Sequence, residues 1–264
     1  MEIKYTIQGL LIYITIMVYL LALGTELTGR RKIGQMLFAA GFFAALVAFV
    51  YRWYDVRHVP LQNLFEVFLF LGVVCYPISW FCRRILRIGG QGADMLIGAI
   101  VLFPAGFVFN AEPMHLPPAL QSWLFAPHVM VYMLAYIFMA KAAFQASEQL
   151  ATRTPDAGTA WLPPEQATYE LIALGFPLLT LGLILGSWWG KLAWGHYWGW
   201  DPKELWSLAS WLVYLGYFHW RYMFGKKHPA LNSLWAITGM IAIIITLLWV
   251  NLSQLFPGLH SYAT

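Results

Sequence analysis

Long stretches without a single formal charge constrain the fold of this chain more than any motif does. No charged residue falls between Lys4 and Glu26, Lys32 and Arg52, Glu66 and Arg83, Asp94 and Glu112, Glu112 and Lys141, Glu170 and Lys191, or Glu204 and Arg221, and none follows Lys227. A bilayer span takes roughly 17 to 25 residues. The windows therefore predict eight helices, near 6–24, 33–52, 62–82, 92–110, 122–142, 170–188, 202–223 and 233–252. Composition agrees: 11% of the residues are charged, against about 25% in soluble domains. Only segments that satisfy their own backbone can cross lipid, and strand-like alternation is absent, so the spans are helical. The expected fold class is all-α, a polytopic membrane protein whose residues 1–264 form a single transmembrane domain. The first span follows Glu2 and shows no small-residue cleavage site, so it is expected to be retained.

Basic residues orient the spans. One set of loops carries Arg30, Arg31, Lys32, Arg83, Arg84, Arg87, Lys141, Arg153, Arg221, Lys226 and Lys227; the other carries Lys4, Arg52, Arg57, Lys191 and Lys203. The richer set is expected in the cytoplasm, which places both termini on the periplasmic or equivalent outer side. The net charge of +4 reflects this asymmetry and does not point to nucleic acid. Cys75 and Cys82 lie in one apolar helix at a spacing that suits neither a redox pair nor a metal site, so they read as buried, inert thiols.

The most concentrated chemistry lies in residues 188–206, where six tryptophans, one tyrosine and three glycines share nineteen positions. The run closes on a helix-start signal. Asp201 suits an N-cap, Pro202 costs no hydrogen bond at the next position, and Glu204 can reach back to the cap. An aromatic loop fixed to the top of a helix offers a slot for a flat ligand such as a porphyrin, a nucleobase or a quinone. The same residues also suit the aromatic belt found at membrane–water boundaries.

Elsewhere the polar signals are sparse. Asn63 and Glu66 fall in the first turn of the third helix, where the carboxylate either helps the helix dipole or holds a neighbouring loop. His58 precedes them. His128 opens the fifth helix after a proline-rich segment, and Ala146–Tyr169 reads as a polar linker. In the seventh helix His219 lies eighteen residues past Asp201, about 27 Å along the axis, with Gly216 one turn earlier leaving space beside the imidazole. Arg221, Lys226 and Lys227 follow, suited to anionic groups such as propionates. His260 returns on the same side as His128 and the tryptophan loop. Two outer histidines beside a platform of rings suggest a metal porphyrin held by axial imidazoles. A closed zinc site, a hydrolytic triad and a phosphate loop all lack their partner residues.

The run Trp194-Gly195-His196-Tyr197-Trp198-Gly199-Trp200-Asp201-Pro202-Lys203-Glu204-Leu205-Trp206, continuing to His219 and Arg221, resembles the WWD signature of haem-handling proteins. It is most similar to the CcsA (ResC) branch of cytochrome c biogenesis, system II, as is Pro60…Asn63…Glu66. The resemblance implies transport of haem b to the outer face and its covalent attachment to apocytochrome c, as a holocytochrome c synthase component working with a CcsB partner. Haem delivery without synthesis is the alternative. It implies a bacterial inner-membrane or thylakoid location, with thiol-reducing proteins as indirect partners. By matched position, His128 and His260 resemble the outer axial ligands and His219 the intramembrane haem histidine. Trp194, Gly195, Tyr197, Trp198, Trp200, Asp201 and Trp206 resemble the haem platform, with Asn63, Glu66, Glu204 and Arg221 supporting. His196 stands where the motif usually carries a small residue.

Overall fold

The computed structural model describes residues 3–151 and 161–252. Among the described residues every regular element is helical. The long helices are α1 (Ile7–Leu27), α2 (Arg31–Val56), α3 (Leu64–Arg84), α4 (Gln91–Phe107), α5 (Phe125–Ala151), α6 (Pro164–Trp194), α7 (Pro202–Phe224) and α8 (Pro229–Ile244). A π-helical turn, Ile245–Trp249, extends α8 to Leu252. Six helices are long and apolar enough to cross a membrane: α1, α2, α3, α5, α6 and α8 with its extension. The chain is a polytopic membrane protein. Two of the eight windows fall short of that standard: α4 is apolar but shorter, and the serines, tyrosines and tryptophans of α7 dilute its apolar character.

Charge-free windows also underestimate helix length. The expected linker Ala146–Tyr169 is helical at both ends, because α5 continues to Ala151 and α6 begins at Pro164. The charges that closed those windows, among them Lys141 and Glu170, are carried within the helices. A helix does not stop where its sequence turns polar when those polar groups find partners; Thr168, for one, bonds back to the Pro164 carbonyl at 2.8 Å.

The chain divides into two compact units, residues 1–117 and 118–264. In the first, α1 packs on α2 and α4, and α3 on α2 and α4. Tyr19 of α1 joins all four. Its ring fills the spaces left by Gly41 of α2 and Gly98 of α4, where a Cβ would come within 2.5 and 2.8 Å. Its hydroxyl donates to the Gly72 carbonyl of α3 at 3.0 Å. Tyr19→Phe is expected to cost about 0.5–1.5 kcal/mol, the net value of one hydrogen bond. Gly41→Ala drives a methyl group into the ring and should cost more, about 1–3 kcal/mol. Thermal unfolding in detergent checks the order of the two. Cys75 and Cys82 are buried thiols of α3.

In the second unit α5 and α6 make the most extensive pairing, and α8 packs on both α5 and α7. The α7–α8 seam is reciprocal: Gly216 of α7 makes room for Trp235, and Gly239 of α8 makes room for Tyr214. The space predicted beside His219 is therefore filled by an indole. α7 is tied to α6 by Trp211, which stacks on Phe176 at 5.3 Å and donates from Nε1 to the Thr180 hydroxyl at 2.9 Å.

Candidate functional site

The aromatic loop is a clamped structure with its rings held outward. α6 ends when Gly195 takes a left-handed conformation (φ 84°) and its N–H returns to the Lys191 carbonyl at 3.1 Å. Lys191 then reaches forward with Nζ to the Gly195 carbonyl at 2.7 Å. Mid-loop, the Ser187 hydroxyl donates to the Tyr197 carbonyl at 2.9 Å. At the far end the predicted capping box forms in both directions. Asp201 accepts from the Lys203 N–H at 2.8 Å, and one Glu204 oxygen accepts from the N–H groups of Asp201 (3.1 Å) and Gly199 (2.8 Å). Between these anchors Trp200 sits at φ 58°, a region that bulky L-residues avoid.

The clamp leaves Trp200 67% and Tyr197 59% exposed, with Trp206 also open. Trp198 turns edge-on to Trp200 at 6.0 Å. Its indole N–H is buried without a hydrogen-bond partner. Beneath the loop a cleft of about 540 Å³ is lined by Ile184, Ser187 and Trp188 of α6, Tyr197 and Trp198 of the loop, and Leu208 of α7. Its size falls in the usual range for small-molecule sites.

On the opposite face of α6 the structure places His128. Its Nδ1 donates to the Gly182 carbonyl at 2.9 Å, its ring stacks on Trp189 at 5.7 Å and 23°, and Trp189 in turn meets Trp194 at 4.8 Å. One member of the expected platform, Trp194, thus continues from His128, whereas Tyr197 and Trp198 line the cleft. His196 folds over the loop backbone at Gly199. His260 lies outside the described residues.

His219, toward the other end of α7, is exposed and donates from Nδ1 to the Leu215 carbonyl of its own helix at 2.8 Å. A carbonyl only accepts, so Nδ1 carries the proton in both His128 and His219. In the neutral ring that makes Nε2 the basic nitrogen. Arg221 is not the open surface cation its position suggested. It pairs with Glu165 of α6 and lies over the Tyr169 ring at 4.4 Å, and Asn232 of α8 joins the same carboxylate at 2.9 Å.

In the first unit Asn63 caps α3 by accepting from the Glu66 N–H at 3.0 Å. Glu66 holds neighbouring chain segments. One oxygen meets Nε and Nη2 of Arg52, both at 2.9 Å, and the other accepts from the Gln62 N–H at 2.8 Å. Arg52 carries the tie onward to the carbonyls of Ala111 (2.6 Å) and Glu112 (3.3 Å). His58 bonds the Val59 carbonyl at 3.1 Å. Sequence reasoning missed Arg52 and Glu165 as partners, and missed Gly182 and Gly186. The Gly-x-x-x-Gly spacing of the last two was a readable sign of close helix approach.

A helical membrane protein whose clamped loop holds aromatic rings beside a cleft has a site suited to a flat ligand. Comparison with known proteins makes the assignment particular. The chain belongs to the cytochrome c assembly protein family, whose model matches residues 61–257. It is 31% identical over 274 residues to the cytochrome c biogenesis protein CcsA of Synechococcus sp. (strain CC9902), covering 88% of this chain and 87% of that protein. The CcsA of Synechococcus sp. (strain RCC307) is 32% identical over 279 residues, covering 90% and 87%. That of Chlamydomonas reinhardtii is 32% identical over 230 residues, covering 80% and 63%. The fold also resembles a solved structure of "Cytochrome c Heme Lyase CcmF", with a TM-score of 0.68 and 20% identity over 94% of this chain. The chain spans about half of that protein (48%), and at this identity the likeness is one of fold. The role of the chain lies in cytochrome c biogenesis.

Proposed function

We propose that the chain receives haem b within the membrane and presents it on the outer side for covalent attachment to apocytochrome c, as the synthase component that works with a CcsB-type partner. The observation that carries this reading is the clamped loop, in a chain of the cytochrome c assembly family. Rings that only filled a core would be turned inward. Tyr197 and Trp200 are instead held out on a frame of caps and side-chain bonds, one residue at a strained φ.

In this reading His219 binds the haem iron inside the bilayer, and His128 and His260 bind it on the outer side. Trp194, on the His128 side of α6, and Gly195, Tyr197, Trp198, Trp200, Asp201 and Trp206, of which Tyr197 and Trp198 line the cleft on its other face, form the platform. The donor set suits the group: His128 and His219 each direct Nδ1–H at a carbonyl, the outer-sphere bond that metal-binding imidazoles commonly make. Asn63, Glu66, Glu204 and Arg221 support the framework. The membrane is the bacterial inner membrane or its thylakoid counterpart, with both termini and the loop on the outer side.

Each thiol of a Cys-X-X-Cys-His segment adds across one vinyl group. Sulfur bonds the carbon next to the ring and the thiol proton goes to the terminal carbon, so neither oxidant nor reductant is consumed. The thiols must arrive reduced, which makes thiol-reducing proteins indirect partners. The contribution of the chain is orientation: reacting groups held in place gain the large advantage of an intramolecular reaction.

Co-expression with a CcsB-type protein and an apocytochrome, scored for covalently bound haem, tests the synthase role. Covalent product supports it; haem-loaded chain without product favours delivery alone. The purified protein is expected to show a bis-imidazole haem spectrum that His128→Ala and His260→Ala each disrupt. If both variants keep that spectrum and the yield of holocytochrome, the ligand assignment fails.

A further inference from the structure

We propose that α6 sets the orientation and tautomer of His128 through a two-glycine notch, with Gly182 and Gly186 as positioning residues. The inference rests on the reading of His128 as an iron ligand. Three contacts from α6 help to hold the imidazole. The Gly182 carbonyl accepts a hydrogen bond from Nδ1–H at 2.9 Å. Gly186 leaves the space the ring occupies: a Cβ there would stand 2.5 Å from Cε1 and 2.9 Å from Nδ1. Trp189 backs the ring in a near-parallel stack, 23° between planes.

The arrangement repeats one turn along the same pair of helices. Tyr132, four residues after His128 on α5, lies over Gly182, where a Cβ would come within 2.9 Å of its ring carbons. Tyr132 also meets the imidazole edge-on at 5.1 Å. Residues four apart share a helix face, so α5 inserts an imidazole and a phenol into successive gaps of α6. With Tyr132 on one side and Trp189 on another, the imidazole cannot swing away from a side chain added at Gly186 without giving up its bond to Gly182.

A carbonyl acceptor at Nδ1 leaves Nε2 as the basic nitrogen, and histidines that bind metals are commonly oriented by this kind of outer bond. Loss of such a bond typically weakens metal affinity or activity by about 10–100-fold. The notch therefore does more than pack two helices. It selects which nitrogen of His128 is offered to iron and the direction in which it points.

The test compares Gly186→Ala, His128→Ala and the double variant in the purified full-length protein. Gly186→Ala is expected to convert the outer haem from a low-spin bis-imidazole spectrum to a five-coordinate one, with retention reduced about 10–100-fold and the low-spin spectrum restored by added imidazole. If Gly186→Ala keeps the low-spin spectrum while His128→Ala loses it, the positioning role is overturned and the ligand assignment survives. If His128→Ala itself changes nothing, the ligand reading fails and this inference with it. Thermal unfolding of the haem-free forms gives an independent readout. Gly186→Ala should lower the midpoint less in the His128→Ala background than in the parent chain, because the clashing ring is gone; an equal loss in both backgrounds overturns the contact itself.

Discussion

Glu66→Ala is expected to cost about 3–5 kcal/mol of stability, the usual penalty for leaving one member of a buried ion pair without its partner. The side chains of Arg52 and Glu66 are 2% and 1% exposed, so neither can turn to water to recover its solvation. The carboxylate also accepts the Gln62 N–H, so removal loosens the approach to α3 as well as the end of α2, while the Asn63 cap, made to the backbone N–H of residue 66, is kept. Among the described residues Arg52 would retain the carbonyls of Ala111 and Glu112, the Phe65 ring at 5.2 Å and a distant Asp55 at 3.8 Å. Replacing both partners together, Arg52→Met with Glu66→Leu, should cost much less, because no buried charge remains. Chemical or thermal unfolding in detergent measures all three variants. A loss below about 1 kcal/mol for Glu66→Ala, the range of an exposed pair, would show that Asp55 or water takes over the guanidinium.

The second large effect is expected at the clamp of the aromatic loop. Glu204→Ala removes the acceptor for two backbone N–H groups, those of Gly199 and Asp201. Hydrogen bonds to a charged group are worth about 1.5–3 kcal/mol each, while an N-cap such as Asp201 adds about 0.5–2 kcal/mol. With Asp201→Ala and Glu204→Ala combined, the strained backbone at Trp200 loses its anchors on the α7 side. The expected result is a loop open to limited proteolysis and a holocytochrome yield at least about tenfold lower, a loss of about 1.4 kcal/mol or more in positioning. Membrane abundance should fall much less, because the helices beyond the loop keep their packing. Glu204→Gln keeps an acceptor and should retain most of the yield. Trp200→Gly separates ring from backbone: glycine tolerates the positive φ, so the loop should stay protected while yield drops. If yield survives loss of the clamp, the loop is a membrane belt and the haem-presenting reading falls.

Much of this architecture was legible because its signals are local. Charge-free windows marked every long helix, and the start of α7 was placed by Asp201, Pro202 and Glu204 alone. A capping box is a contest among a few neighbouring residues, decided within one turn. Helix ends were misjudged where polar residues are satisfied by other helices, as at Glu165, whose carboxylate meets Arg221 and Asn232. The candidate site divided in the same way. Its loop and histidines were visible as motifs, while His260 lies outside the described residues and its relation to His128 stays a proposal.

The sequence alone determined the class of protein, the positions of its long helices, the capped aromatic loop and the family resemblance. Each of these depends on residues near one another in the chain. Only the tertiary structure decided that Arg52 meets Glu66, that Trp235 fills the space at Gly216, and that His128 sits in a notch of α6 on the face away from the cleft. The physical reason is the solvent. Lipid lets a helix be apolar on all sides, so apolar periodicity no longer reveals which face meets a neighbour. The rotation of each helix about its axis is then set by glycine gaps and paired polar groups drawn from distant parts of the chain.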